Sequence, residues 1–201
     1  MKRRQERVAR IWTRIEKVLQ VHAPEVFETL TPGASTEELK NIECALSLKL
    51  PSDLRRSLEI HNGQHDPSQC FSFCGAMHLM STTDIIRDWK MLTEIGVECE
   101  QQEGIHHPDH ISLNRDWWRR SCIPFGHSNG YYTCVDMKGA KGLKVGRIVE
   151  HTHDDAMEET NMPSFADWCE RVALALEHGD FERNKHGFFR VKPKFAYKWN
   201  S

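Results

Sequence analysis

Twelve histidines and seven cysteines are the side chains of this chain with the greatest chemical reach. His151-Thr152-His153-Asp154-Asp155 sets two imidazoles two residues apart beside two carboxylates. On extended backbone His151 and His153 project to one face, which can place two ligands on one ion. A tetrahedral site needs a third and a fourth ligand, and no CxxC or HExxH motif supplies them. Cys70 and Cys74, with His65 and His78 nearby, do not form a zinc-knuckle pattern. The cluster therefore reads as a solvated loop end, and no metal is expected.

Nucleophilic and phosphate chemistry lack their motifs as well. There is no GxSxG elbow and no cysteine in a recognisable Cys–His–Asn context. Assembly of a triad from distant parts stays open, because triads are defined by geometry. Gly139-Ala140-Lys141-Gly142 has neither the lysine–serine pair of a P-loop nor a place between strand and helix. The paired acids Asp154/Asp155 and Glu158/Glu159 read as solvated loop residues. No catalytic residue and no cofactor is expected.

Composition narrows the classes further. Lys and Arg number 27 against 29 Asp and Glu, a formal net charge of −2, which gives no basic surface for direct nucleic-acid binding. Lys2, Arg3, Arg4, Arg7 and Arg10 read as the solvated face of a helix. No apolar run approaches the roughly 18–20 residues of a membrane span, and no signal-peptide core opens the chain. An odd number of scattered cysteines fits reduced thiols, so a cytoplasmic protein without membrane contact is expected.

The aromatic and turn residues say more. Neighbours on a strand point to opposite faces, so Trp117 and Trp118 suggest one ring in the core and one capping a cleft or the surface. Both packed under the preceding loop is the open alternative. Tryptophan is enriched in binding hot spots. Asp136, inside an apolar strand, is expected to receive backbone hydrogen bonds where that strand ends. Trp12, Trp89 and Trp168 fall on apolar helix faces and read as core.

These residues must be positioned by regular elements. Val8, Ile11, Ile15, Val18 and Leu19 predict a one-faced helix over 4–20, and Pro24–Leu30 a short second one. Ser35 with Glu38 is a capping box opening a helix that buries Leu39, Ile42, Leu46 and Cys44. Pro51 opens a fourth helix burying Leu54, Leu58 and Ile60, which ends at His61-Asn62-Gly63. Short extended pieces lie near Leu79. A helix over 83–95 presents Ile85, Ile86, Trp89, Leu92 and Ile95. The polar stretch 96–115 predicts a loop of functional length. Strands are expected at 122–125, 131–137 and 145–151, with a turn at Ser128-Asn129-Gly130. A final helix over 164–178 buries Phe165, Trp168, Val172, Ala175 and Leu176. Helices, then strands, then a helix give an α+β domain over 1–180 with a mostly antiparallel sheet, followed by a basic, aromatic extension over 181–201.

The ordered series resembles the Smi–Knr cell-wall-regulator family, the founding branch of the SUKH superfamily, in its bacterial form. Trp12, Ile15 and Glu16, then 30–35, Glu37, Ile42, Glu43, 50–54 and His61-Asn62-Gly63-Gln64 carry its opening. Leu79-Met80-Ser81, Ile85, Trp89, Trp117-Trp118, Ile123-Pro124-Phe125, Asp136, 146–149, His153-Asp154-Asp155 and Pro163-Ser164-Phe165 with Trp168 complete it over residues 8–180. The resemblance implies N-terminal helices and a C-terminal helix packed around one curved sheet, without catalytic apparatus. Bacterial relatives are regarded as immunity proteins that neutralise toxin domains, and fungal ones as scaffolds in cell-wall synthesis. A protein partner is therefore expected, most simply a cognate toxin domain, with a cell-wall regulator or scaffold as the alternative and, ranked last, a metal-dependent enzyme built around His151, His153, Asp154 and Asp155. Asn62, Gly63, Gln64, Trp117, Trp118, Asp136, His153 and Asp154 are the residues expected to meet it.

Overall fold

In the computed structural model the described residues are 2–65, 77–102, 117–139, 144–153, 157–183 and 189–191. Helix α1 (Lys2–His22) buries Val8, Ile11, Trp12, Ile15 and Leu19, the stripe its spacing requires. It lies against α6 (Phe165–Glu177), whose Phe165, Trp168, Val172 and Leu176 are buried in the same core. The two helices are also clamped at the rim. Arg7 Nη1 donates to Asp167 at 2.9 Å, and Arg14 donates to both Glu170 and Glu177. Arg7, expected on a purely solvated face, is thus used to hold α6.

Between them stand α2 (Pro24–Thr29), α3 (Thr36–Leu46) and α4 (Ser52–Ile60). The capping box of α3 is formed: Glu38 N–H donates to Ser35 Oγ at 3.2 Å and Ser35 N–H to Glu38 Oε2 at 2.7 Å. Such a cap satisfies two otherwise orphaned donors and is worth about 1 kcal/mol. Asp53 on α4 is buried and reaches across to α6, accepting from the Ala166 N–H at 3.1 Å. Trp12 Nε1 donates to Ser57 Oγ at 2.9 Å, tying α1 to α4.

The sheet is five-stranded, antiparallel and open, in the order β1 (His78–Leu79), β2 (Cys122–Ser128), β3 (Tyr131–Asp136), β4 (Arg147–His151) and β5 (Glu158–Glu159). Register shifts between Pro124 and Gly126, a bulge that lets Phe125 meet Phe165 and Trp168 of α6 at ring separations of 4.9 and 5.0 Å. The β2–β3 turn carries left-handed residues at Asn129 (φ 46°) and Gly130 (φ 85°), the pair that a two-residue hairpin needs. Helix α5 (Thr82–Gln102) covers the opposite face of the sheet. A two-stranded ribbon, β6 (Phe181–Arg183) with β7 (Phe189–Val191), follows α6 and buries Val191 in the core. The extension expected after residue 180 therefore begins as packed structure.

Several expectations are corrected. Residues 96–102, expected as loop, continue α5, and 103–115 lie outside the described residues. Gly96 costs a helix interior about 1 kcal/mol, and a Cβ there would make only ordinary contacts with Trp118 and Trp117, at 3.6 and 4.0 Å. Cys44 and Ile95 are exposed rather than buried, and Ile60 and Trp89 are half-buried. The third strand starts at Arg147, leaving Val145 in an exposed turn. Glu158 and Glu159, read as loop acids, pair with Glu150 and Val149 to form β5.

Candidate functional site

Strand register builds a row that no local pattern announces. His78 on β1, His127 on β2, Tyr132 on β3 and His151 on β4 are successive cross-strand partners. Their rings follow one another at 5.3, 4.6 and 6.0 Å. Directly opposed side chains in antiparallel strands are the unit of sheet stabilisation. Helix α5 closes over the row: Tyr132 OH donates to Asp88 Oδ2 at 3.3 Å, and Arg87 Nε donates to Asp88 Oδ1 at 2.6 Å. Burial, with Asp88 adding to it, raises the Tyr132 phenol well above its usual range. Burial also lowers His78 and His127, so the row is held neutral.

Trp117 and Trp118 end the row, and both are 7% exposed. They precede β2 in non-strand backbone, so strand alternation does not separate them. Both approach the His151 ring edge-on, at 4.7 and 5.4 Å. Each indole N–H is satisfied: Trp117 donates to the His153 carbonyl and Trp118 to Thr93 Oγ1, both at 3.1 Å. His151 is 1% exposed, and neither ring nitrogen makes a hydrogen bond of ordinary geometry. Burial pushes it down to about 4, with the nearby Trp117 backbone opposing and His153 adding to the fall.

The other residues singled out by sequence are placed as follows. Asn62, Gly63 and Gln64 form a knot between helices and sheet. Asn62 Oδ1 accepts from the Thr82 N–H at 2.8 Å, and its Nδ2 donates to Thr82 Oγ1 at 3.2 Å. Gly63 has φ 77°, and a Cβ there would stand 2.4 Å from Ser81 N. Gln64 is buried and treats β1 as a neighbouring strand would. Its N–H donates to the Leu79 carbonyl at 3.0 Å, and its Oε1 accepts from the Leu79 N–H at 2.9 Å. Its Nε2 then donates to Thr29 Oγ1 at 2.7 Å.

Asp136 is 2% exposed and ends β3 as expected. Its Oδ1 accepts from Lys138 N–H, Gly139 N–H and Ser121 Oγ at 3.0, 3.1 and 3.1 Å, and Arg119 stands 3.4 Å from Oδ2. Beside it the Cys122 thiol is pushed up to about 12, by burial first and by Asp136 second. Burial also raises the fully enclosed Cys134 thiol well above its ordinary value. His153 is exposed, with its ring 5.8 Å from that of the exposed Tyr131. Asp154 lies outside the described residues. Among the described residues no three His, Cys, Asp or Glu side chains converge on a metal position.

The structure thus brings Trp117 and Trp118 together around His151, and it places the Asn62–Gln64 turn and Asp136 elsewhere. His78, His127, Tyr132, Asp88 and β5 were missed. The alternation of Tyr132, Cys134 and Asp136 marked one face of β3, but only register reveals what stands beside it.

Comparison with known proteins adds an independent line. The model of the SMI1/KNR4 family (SUKH-1) matches residues 33–171. The glucan synthesis regulatory protein of Neurospora crassa is 30% identical over 83 residues, 41% of this chain and 16% of that protein. The F-box only protein 3 of Homo sapiens is 37% identical over 57 residues, 28% of this chain and 12% of that protein. The cell wall biosynthesis/cell cycle regulator smi1 of Schizosaccharomyces pombe is 22% identical over 195 residues, 86% of this chain and 36% of that protein. The chain spans well under half the length of each of these relatives.

Proposed function

Because the chain belongs to the SMI1/KNR4 family (SUKH-1), we propose that it works by holding another protein and performs no catalytic step. The observation that carries this reading is how the reactive side chains of the sheet are engaged among the described residues. The Cys122 thiol is driven towards its inert protonated form, and His151 is wedged between two indoles. Asp136 is saturated by four neighbours. A catalytic cysteine or base needs the opposite environment: a lowered thiol or an imidazole within reach of a proton. Side chains packed and held inside the fold in this way favour recognition by surface shape and charge instead. Asn62, Gly63, Gln64, Trp117, Trp118 and Asp136 then serve the surface from beneath by fixing it. His153, being exposed, is the member of the expected set placed to touch a partner.

The partner proposed first is a toxin domain that the chain occludes, as its resemblance to bacterial members suggests, in the cytoplasm. No helix of the described residues is long and apolar enough to cross a membrane. A second reading, a regulator of cell-wall assembly, is favoured by the names of the Neurospora crassa and Schizosaccharomyces pombe relatives. Affinity purification of the tagged chain, with stoichiometry measured after a high-salt wash, separates them. One stoichiometric partner bearing a toxin domain supports immunity. Several substoichiometric partners from cell-wall synthesis support the regulator. An absence of any specific partner overturns both.

A further inference from the structure

The open sheet has two edges, and they are finished differently. On β1 the pairs His78/His127 and Met80/Phe125 face β2, so the Leu79 N–H and C=O point outward. Gln64 takes both groups, one with its side chain and one with its backbone. On β5 the Thr160 N–H donates to the Ile148 carbonyl at 3.2 Å. The neighbouring pair Val149/Glu159 is therefore the wide one, and the Glu159 N–H and C=O point away from β4. Neither has a partner among the described residues. An edge left open among the described residues can template another strand, and the shortness and charge of this one restrict which strand that is.

The side chains on this edge indicate what would pair there. Glu158 and Glu159 are both exposed, and Glu158 lies directly opposite Glu150 in register. Like charges directly opposed across strands are destabilising. Arg147, the cation on β4, gives an N–H to the Thr160 carbonyl at 2.8 Å and forms no ion pair with either exposed glutamate. We infer that β5 is a docking edge that accepts an extended basic segment of a partner protein by strand addition. Glu159 supplies the backbone pair, and the exposed Glu158 and Glu159 supply the charge. Main-chain bonds then give affinity and the acids select the basic segment. This inference rests on the partner-holding reading and names the partner's chemistry at one place.

The test uses the full chain and a synthetic probe, a fluorescein-labelled seven-residue peptide of alternating lysine and valine. Binding is read by anisotropy, and hydrogen exchange is read at the Glu159 amide. The probe is expected to bind and to slow exchange at Glu159 by about tenfold or more, the value of one protecting bond. Glu159→Pro removes the outward N–H and should weaken binding by a similar factor of about ten. The double reversal Glu158→Lys with Glu159→Lys should abolish binding and transfer preference to a glutamate–valine peptide. Binding that survives Glu159→Pro but not the reversal reduces the edge to ion attraction and overturns strand addition. So does unchanged exchange at Glu159, or an amide already protected in the free chain. A negative result strikes the edge alone, since the partner-holding reading stands or falls by purification.

Discussion

The two edges of one sheet show how a fold separates what must stay closed from what is left open. At β1 the turn Asn62-Gly63-Gln64 supplies a surrogate strand, and every group it offers is consumed inside the protein. At β5 two glutamates present an outward backbone pair and opposed carboxylates. The first arrangement is costly to disturb because its polar atoms are buried. The second costs little to disturb because water replaces whatever is removed. Stability and recognition are therefore expected to respond to substitution at opposite ends of the sheet.

The sharpest way to break this contrast is at Gly63. Gly63→Ala adds a Cβ at φ 77° against the Ser81 backbone, and about 4 kcal/mol of unfolding free energy should be lost, left-handed strain and overlap together. Urea denaturation with an unchanged m-value checks it. A loss below that expected of a surface site would remove the claim that the turn is a closed knot.

Between the edges lies His151, and acid should expose its burial. Its folded pKa, about 4, lies below the unfolded value near 6.5. The neutral ring is thus the form the fold stabilises. That contribution is complete above about pH 6.5, declines as pH falls towards 4, and is gone below it. The shift corresponds to about 3 kcal/mol. His151→Leu should make the melting temperature fall less steeply with acid over that window than in the wild type, with His78 and His127 supplying the slope that remains.

Gln64→Ala comes next. It strands the buried Leu79 N–H, while the Thr29 hydroxyl keeps its bond to the Val26 carbonyl, at about 2 kcal/mol, and should let the Leu79 amide exchange faster. The smallest effect belongs to the open edge. Glu159→Ala should change stability by less than about 0.5 kcal/mol, measured by the same denaturation. A larger change there would mean that β5 is part of the closed frame.

How far sequence reached depended on the range of the signal. The Ser35–Glu38 box, the α1 stripe and the Asn129-Gly130 turn were legible because each is written within one turn or one hairpin. The end of Asp136's strand was legible for the same reason, since the amides it binds are two and three residues on. The pairing of Trp117 with Trp118 was half legible. Their adjacency signalled a shared task, but strand alternation was the wrong rule for backbone outside a strand. The length of α5 was not legible, because Gly96 and the polar residues after it read locally as a helix end. Nor was β5: two adjacent acids carry no strand preference, and their pairing is set by β4.

The sequence by itself determined an α+β fold with its helix caps and turns, because hydrophobic period and capping chemistry act over a few residues; the family was read separately, from a resemblance in an ordered series of residues. Only the tertiary structure decided that Gln64 closes one sheet edge, that His78, His127, Tyr132 and His151 line up, and that Glu158–Glu159 forms the other edge. Those facts depend on strand register, and register is fixed by which distant faces can be buried together.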